Sequence, residues 1–336
     1  MPEMLTPDAL STETSRPPTA TPQPEPTSTP ITTVALQRGV NMGNMLETPN
    51  EGEWGLYVQE EYFDLIKDAG FDFVCLPVDW KSHTTRTGYD DGERGYTIEP
   101  TFFARVDEIV GWALKRDLAV IVDFHHYEEL MAEPNGEQFW FLWSQIAEHY
   151  KDYPPQVLFE LMNEPHDKIT VPLWNTYIHI ALKIIRENNP TRDVIFGPVN
   201  WNSYFWVSTL DIPNDPHIIV TFHYSDEFHM AYQSTEGQAW YGDIWPNNEE
   251  RKREITRDFD LVADWAQRHN VHILLGEFGV YNKADMDSRV RWTTFVREQA
   301  EAHGFAWAYW EFGSGFGVYD PNAKVWREDL LQALIP

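Results

Sequence analysis

Two short apolar runs end by presenting a glutamate: Leu158-Phe159-Glu160-Leu161-Met162-Asn163-Glu164-Pro165 and Val271-His272-Ile273-Leu274-Leu275-Gly276-Glu277-Phe278-Gly279. A carboxyl group placed where a strand gives way to a loop can donate a proton or attack an electrophile. Two such groups facing one another can cut a glycosidic bond: one protonates the leaving oxygen while the other attacks or stabilises the anomeric carbon. Glu164 and Glu277 are the expected catalytic pair. A gap of about 5 to 5.5 Å would mean retention and roughly 6.5 to 9.5 Å inversion, and the sequence leaves that choice open.

Three histidines accompany the pair. His125 and His126, with Glu128 and Glu129 nearby, invite comparison with a metal site. Neighbouring strand residues point to opposite faces, and no HExxH spacing is present, so neither a metal nor a cofactor is expected. Hydrogen bonding to substrate hydroxyls is the better role for one of them, with the other packed into the wall. His223, at a strand end, belongs with the site. Cys75 is the only cysteine, which excludes an intrachain disulfide and Cys-rich zinc sites. It reads as a small buried hydrophobe rather than a nucleophile.

Positioning these groups calls for a particular scaffold. From Ile31 onward, β-rich runs alternate with amphipathic segments, the pattern of parallel βα units. The strands are expected at Val34 to Met42, Phe73 to Val78, Ala119 to Phe124, Val157 to Met162, Val194 to Val199, Ile218 to His223, Ile273 to Phe278 and Ala306 to Phe312. Helical spacing marks Glu60 to Ala69, Thr101 to Lys115, Gln138 to Tyr150, Trp174 to Asn188, Ile255 to His269 and Ser288 to His303. The fold class is therefore α/β, a closed (β/α)8 TIM barrel in a single domain, with chemistry at the C-terminal ends of the strands. Those ends carry Asn41, Asn44, Asp79, Asp123, Asn163, Trp201, Tyr224, Trp310 and Glu311 beside the residues already named. Such a ring of polar groups and flat faces suits a polyhydroxylated molecule.

Composition narrows the partner. The 336 residues carry a formal net charge of −28, which argues against nucleic acid or an anionic membrane surface. Aromatic residues make up 15% of the chain, and some of the fifteen Trp can serve as sugar platforms rather than core. No run is long and apolar enough to span a membrane. Residues 1–30 are rich in Pro, Thr, Ser and Glu and are expected to be a disordered linker or tail, with residues 31–336 as the catalytic domain. The N-terminus lacks the pattern of a secretory signal, although a Pro/Thr tract of this kind suits a tether on an extracellular or cell-surface protein.

Six motifs, taken in order, resemble glycoside hydrolase family 5, the cellulase family, and most closely its bacterial endo-β-1,4-glucanases. They are Arg38-Gly39-Val40-Asn41-Met42-Gly43-Asn44-Met45-Leu46-Glu47, Asp123-Phe124-His125-His126-Tyr127-Glu128-Glu129-Leu130, Leu161-Met162-Asn163-Glu164-Pro165, Thr221-Phe222-His223-Tyr224, Gly276-Glu277-Phe278-Gly279 and Trp307-Ala308-Tyr309-Trp310-Glu311-Phe312. The resemblance runs from about Leu36 to Pro336. It implies a retaining, endo-acting hydrolase of β-1,4-linked glucan or glucomannan, with Glu164 as acid/base and Glu277 as nucleophile. It further implies Asn163 on the 2-hydroxyl, His125 and His223 in the −1 subsite, Trp310 as the platform there, and Asn44, Glu47, Trp54 and Trp201 as outer contacts.

The chain departs from the family pattern at two supporting positions. Cys75 stands where an Arg is usual, and Ser225 where a Tyr is usual, while Asp123 replaces the Asn common in close relatives. Losing a cation and a phenol beside Glu277 should raise its pKa, and Asp79 and Asp123 should push the same way. The alternatives are a carbohydrate-binding pseudoenzyme or a retuned glycosidase or transglycosylase. Arg86 or Arg94, from the loop after the second strand, could restore the missing cation.

Overall fold

Buried parallel strands read as near-continuous apolar runs because helices cover their outer faces. Eight such runs form the barrel: β1 (Arg38–Asn41), β2 (Phe73–Val78), β3 (Ala119–Phe124), β4 (Val157–Glu160), β5 (Val194–Phe196), β6 (Ile218–Tyr224), β7 (His272–Phe278) and β8 (Ala306–Tyr309). A computed structural model describes residues 34–86, 96–225, 245 and 249–336, so the expected linker over residues 1–30 lies outside the described residues. Each strand pairs in parallel with the next, and β8 returns to β1 with Arg38 opposite Trp307, closing the barrel.

Side chains fill the interior rather than leaving a pore. Phe73, Cys75, Ile121, Leu158, Ile195, Ile219, Leu274 and Ala308 pack together inside the strands. A larger apolar layer lies between strands and helices, and indole groups on two helices do more than fill space. Trp143, on the helix Gly136–His149, donates to the carbonyl of Leu161 at 3.0 Å. Trp174, on the helix Val171–Asn188, donates to the carbonyl of Gly197 at 2.8 Å. Both bonds fasten the backbone just beyond a strand end, where functional groups must be held still.

The structure differs from the sequence reading in strand length. Strands β1, β4, β5 and β8 stop at Asn41, Glu160, Phe196 and Tyr309, short of the expected ends, while Met42, Leu161 and Met162 just beyond two of them remain buried in the apolar layer. Between β5 and β6, where the sequence marks no helical spacing, the chain forms a kinked turn at Val199–Asn202 and a 3-10 helix at Tyr204–Thr209. Three consecutive left-handed residues, Asn200, Trp201 and Asn202, interrupt helical geometry there. Pro213 and Pro216 then precede the next strand.

One irregularity matters for function. The β6–β7 register slips between Phe222 and His223, so that His223 pairs with Glu277 rather than Gly276. A bulge of this kind re-aims a side chain near an active site. Gly276 permits it, since a Cβ there would stand 2.4 Å from Thr221 Oγ1.

At the opposite end of the barrel, the buried Arg192 guanidinium ties the approach to β4 together. It donates to Asn189 Oδ1 at 2.8 Å and to the carbonyls of Tyr150 at 2.8 Å, Tyr153 at 3.0 Å and Pro154 at 3.1 Å. Arg192→Met strands these acceptors and should cost about 3 kcal/mol. The expected readout is a lower urea midpoint at unchanged slope, with kcat unaffected because the site lies at the other end.

Candidate active site

Glu164 enters the mouth from the turn after β4. Its backbone lies in the left-handed region at φ 46°, a strained conformation for a residue with a Cβ, and such strain collects at functional sites. The turn is held by Asn163 N–H donating to Phe124 O at 3.0 Å and by His166 Nδ1 donating to Glu164 O at 2.6 Å. Glu277 projects from β7 across the mouth. A carboxylate oxygen of Glu164, one of Glu277 and a ring nitrogen of His223 all lie within 4.8 Å of one another. Closely spaced carboxyl pairs are the arrangement that suits a retaining rather than an inverting glycosidase.

His223 bridges the two acids. Its Nε2 lies 3.3 Å from Asn202 Nδ2, and its Nδ1 donates to Glu164 Oε1 at 2.8 Å, with Glu277 Oε2 at 3.7 Å. Asn202 reaches His223 because of the left-handed run on the β5–β6 connection. The sequence reading did not single it out.

The nucleophile's surroundings are acidic throughout. Burial pushes the Glu277 carboxyl well above the usual carboxylate range, and Glu164, Asp123, Glu160 and Glu47 add to the effect. Among the described residues no Lys or Arg pairs with Glu277. Cys75 is buried inside the barrel, its thiol pushed up first by burial and then by Asp123. Ser225 lines the pocket with Glu164, His223, Glu277, Trp310 and Phe316. Arg94 and the side chain of Arg86 lie outside the described residues.

A second hydrogen-bonded line runs along the floor. Asp123 Oδ2 meets His125 Nδ1 at 2.5 Å, and His125 Nε2 meets Asn163 Nδ2 at 3.2 Å. Burial keeps His125 below its ordinary pKa and therefore neutral. The His125 ring lies parallel to Trp310, with centroids 5.5 Å apart and planes at 3°. Trp310 can sit so close because Gly43 and Gly279 lack side chains: a Cβ would approach the indole to 2.8 Å or the Trp310 carbonyl to 2.1 Å.

Outer residues divide by exposure. Glu47 is buried, its carboxylate accepting from the backbone N–H of Asn44 and, at 2.9 Å, of Met45, so it shapes the loop after β1. Asn44 adopts a left-handed conformation in that loop. Trp54 is 51% exposed and meets His126 edge-on at 6.0 Å. On the β5 side, Trp201 is 49% exposed and stacks on His166 at 5.0 Å.

Glu160 is the further group the sequence reading missed. It is buried in the barrel beside Asp123, and its signal was the inward alternation of Leu158 and Glu160 along β4. Two sets of donor atoms among the described residues are close enough to hold an ion: Cys75, Asp123 and Glu160, and the catalytic set Glu164, His223 and Glu277.

Comparison with known proteins identifies the family. The model of Cellulase (glycosyl hydrolase family 5) matches residues 35–315. Endoglucanase H of Acetivibrio thermocellus is 38% identical over 304 residues, covering 88% of this chain and 32% of that one, so the chain spans about a third of that relative's length. A solved endoglucanase superposes with a TM-score of 0.85 at 43% identity, covering 89% of this chain and 97% of the other. Thermotoga maritima Cel5A in complex with mannotriose gives a TM-score of 0.84 at 42% identity, with 89% and 97% covered. The same enzyme has been solved with cellobiose.

The raised Glu277 pKa has a stability consequence. Between the ordinary carboxylate pKa and the raised one, the native state keeps a proton that the unfolded state has lost, so stability falls as pH rises through that window. Glu277→Gln removes the penalty. It should stabilise the protein by on the order of 1 kcal/mol or more at about pH 8, with the gain fading toward about pH 5. Thermal melts of both proteins across that range check the sign.

Proposed function

Because the chain belongs to glycosyl hydrolase family 5, we propose that it is a retaining, endo-acting hydrolase of β-1,4-linked glucan or glucomannan. The observation that carries this reading is the separation of Glu164 and Glu277, whose nearest oxygens lie within 4.8 Å.

In this reading Glu277 attacks the anomeric carbon while Glu164 gives its proton to the glycosidic oxygen. The C–O bond breaks with its electron pair on the leaving sugar, and a glycosyl ester remains on Glu277. Glu164, now a carboxylate, then takes a proton from water, whose oxygen displaces Glu277 and restores the starting configuration. His223 keeps one Glu164 oxygen as an acceptor, so the acidic proton sits on the other, facing the leaving group. Asn163, held by His125, binds the 2-hydroxyl, and Trp310 carries the apolar face of the −1 sugar. The exposed faces of Trp54 and Trp201 extend the cleft on opposite sides.

The relatives bear on substrate class. A structure 42% identical has been solved with both mannotriose and cellobiose, which supports a cleft tolerant of glucose and mannose units. A polymeric substrate of this kind favours an extracellular or cell-surface setting, with residues 1–30 as a tether. Saccharide binding without hydrolysis is the weaker reading, because both carboxylates and the bridging His223 are assembled.

Glu164→Gln and Glu277→Ala should each lower turnover of cellohexaose and mannohexaose by about 10³-fold or more. Proton NMR of the first product should show the β-anomer. An α-anomer, or near-parental activity in either variant, would sink the assignment. Trp54→Ala and Trp201→Ala should raise KM for the hexaose several-fold, about 1 kcal/mol each, with little change in kcat.

A further inference from the structure

A group of side chains beneath the catalytic floor takes no direct part in the reaction proposed above. Asp123 and Glu160 are partners across the parallel β3–β4 ladder, so both project into the barrel interior. The sulfur of Cys75 and one oxygen from each acid lie within 4.8 Å of one another, and all three residues are buried. Among the described residues no Lys or Arg pairs with either acid. The groups acting on them are acids, Glu47 after β1, Glu164 after β4 and Glu277 on β7, and His125 after β3, which meets Asp123, is itself faced by Glu47, Glu164, His223 on β6 and Asp79 after β2. Glu311, after β8, adds a carboxyl that burial raises to about 8.

Hydrogen-bond accounting shows where a compensating charge can sit. His125 Nε2 accepts from Asn163 Nδ2, so the ring proton is on Nδ1 and is donated to Asp123 Oδ2. That oxygen is committed as an acceptor. Asp123 Oδ1 is buried without a partner. Two ionised carboxylates this close in a dry interior repel strongly, and such pairs titrate jointly, one proton held between them. The Cys75 thiol is itself kept protonated and supplies no counter-charge.

We propose that Asp123 and Glu160 hold one proton between them, seated on Asp123 Oδ1, so that the floor beneath Glu277 carries one negative charge instead of two. The pair are positioning residues: they act through Glu277, whose ionisation their charge opposes, and through His125, which Asp123 orients. This inference rests on the hydrolase reading for its kinetic test.

The test is a double-mutant cycle on the acid limb of kcat/KM, which reports ionisation of the free enzyme. Asp123→Asn keeps an acceptor for His125 and leaves Glu160 ionised; Glu160→Gln leaves Asp123 ionised. Each single variant therefore keeps one negative charge and should leave the limb in place. The double variant removes that charge and should move the limb down by at least about half a pH unit. Two independently ionised acids would shift the limb in each single variant, with the shifts adding, and two protonated acids would shift it in none; either pattern overturns the proposal.

An infrared comparison supplies a readout free of turnover. Protonated-carboxyl C=O absorption near neutral pH, to which Glu277 and Glu311 also contribute, should fall by the intensity of one carboxyl in each single variant relative to the parent, and unchanged intensity in either overturns the proposal. If the parent cleaves no glucan or mannan, the hydrolase reading fails while the infrared result still decides the proton. A stoichiometric metal ion released on denaturing the purified protein would put a cation where the proton is assigned and would also overturn it.

Discussion

The structure is organised around a concentration of carboxyl groups in a space that excludes water. Glu47, Asp123, Glu160, Glu164 and Glu277 converge at the barrel mouth, and among the described residues no Lys or Arg neutralises them. Each negative charge added there makes the next harder to form. The arrangement is tolerable only if some groups stay protonated and others are tied to donors. Glu47 is tied to two backbone N–H groups, Glu164 to His223, and Asp123 to His125. What remains is Glu160, inside the barrel, and Glu277, from which nucleophilic chemistry asks the most.

A closed barrel makes this crowding possible. All eight strands deliver their ends to one rim, so residues distant in sequence meet without a loop having to carry them. Precision comes from small departures from regularity. The slip between Phe222 and His223 sets the imidazole opposite Glu277, and the left-handed run at Asn200 to Asn202 brings an amide to the back of that ring. Gly276 and Gly279 keep the facing backbone clear for His223 and Trp310.

The legible and illegible parts of the sequence divide along physical lines. Strand positions were readable because buried parallel strands have to be apolar along their length, and the two glutamates stood out as charges closing such runs. The missed features depend on two segments at once. The β6–β7 slip is a relation between strands and leaves no mark on either alone. Glu160 hid inside an apolar run, since its meaning requires knowing that Asp123 lies beside it across the ladder. The left-handed run at Asn200 to Asn202 on the β5–β6 crossover is a backbone property, and its use shows only once Asn202 is seen to reach His223 on another strand. The carboxylate separation is likewise a property of the closed barrel, and no reading of spacing along the chain could supply it.

The two departures at Cys75 and Ser225 take on a different character in this setting. Removing a cation from a site normally leaves an unpaired buried charge, a costly defect. Here a thiol fills the space at Cys75 without adding charge, and burial keeps it protonated. A site without a cation can stay folded if its acids retain protons, and the same protons restrain the nucleophile. Stability and reactivity are then set against each other by pH: conditions that ionise Glu277 are those in which the crowded carboxylates repel most. A neutral polyol substrate suits such a site, because it adds no charge of its own and displaces water with hydroxyl groups that can donate to the very carboxylates that lack partners.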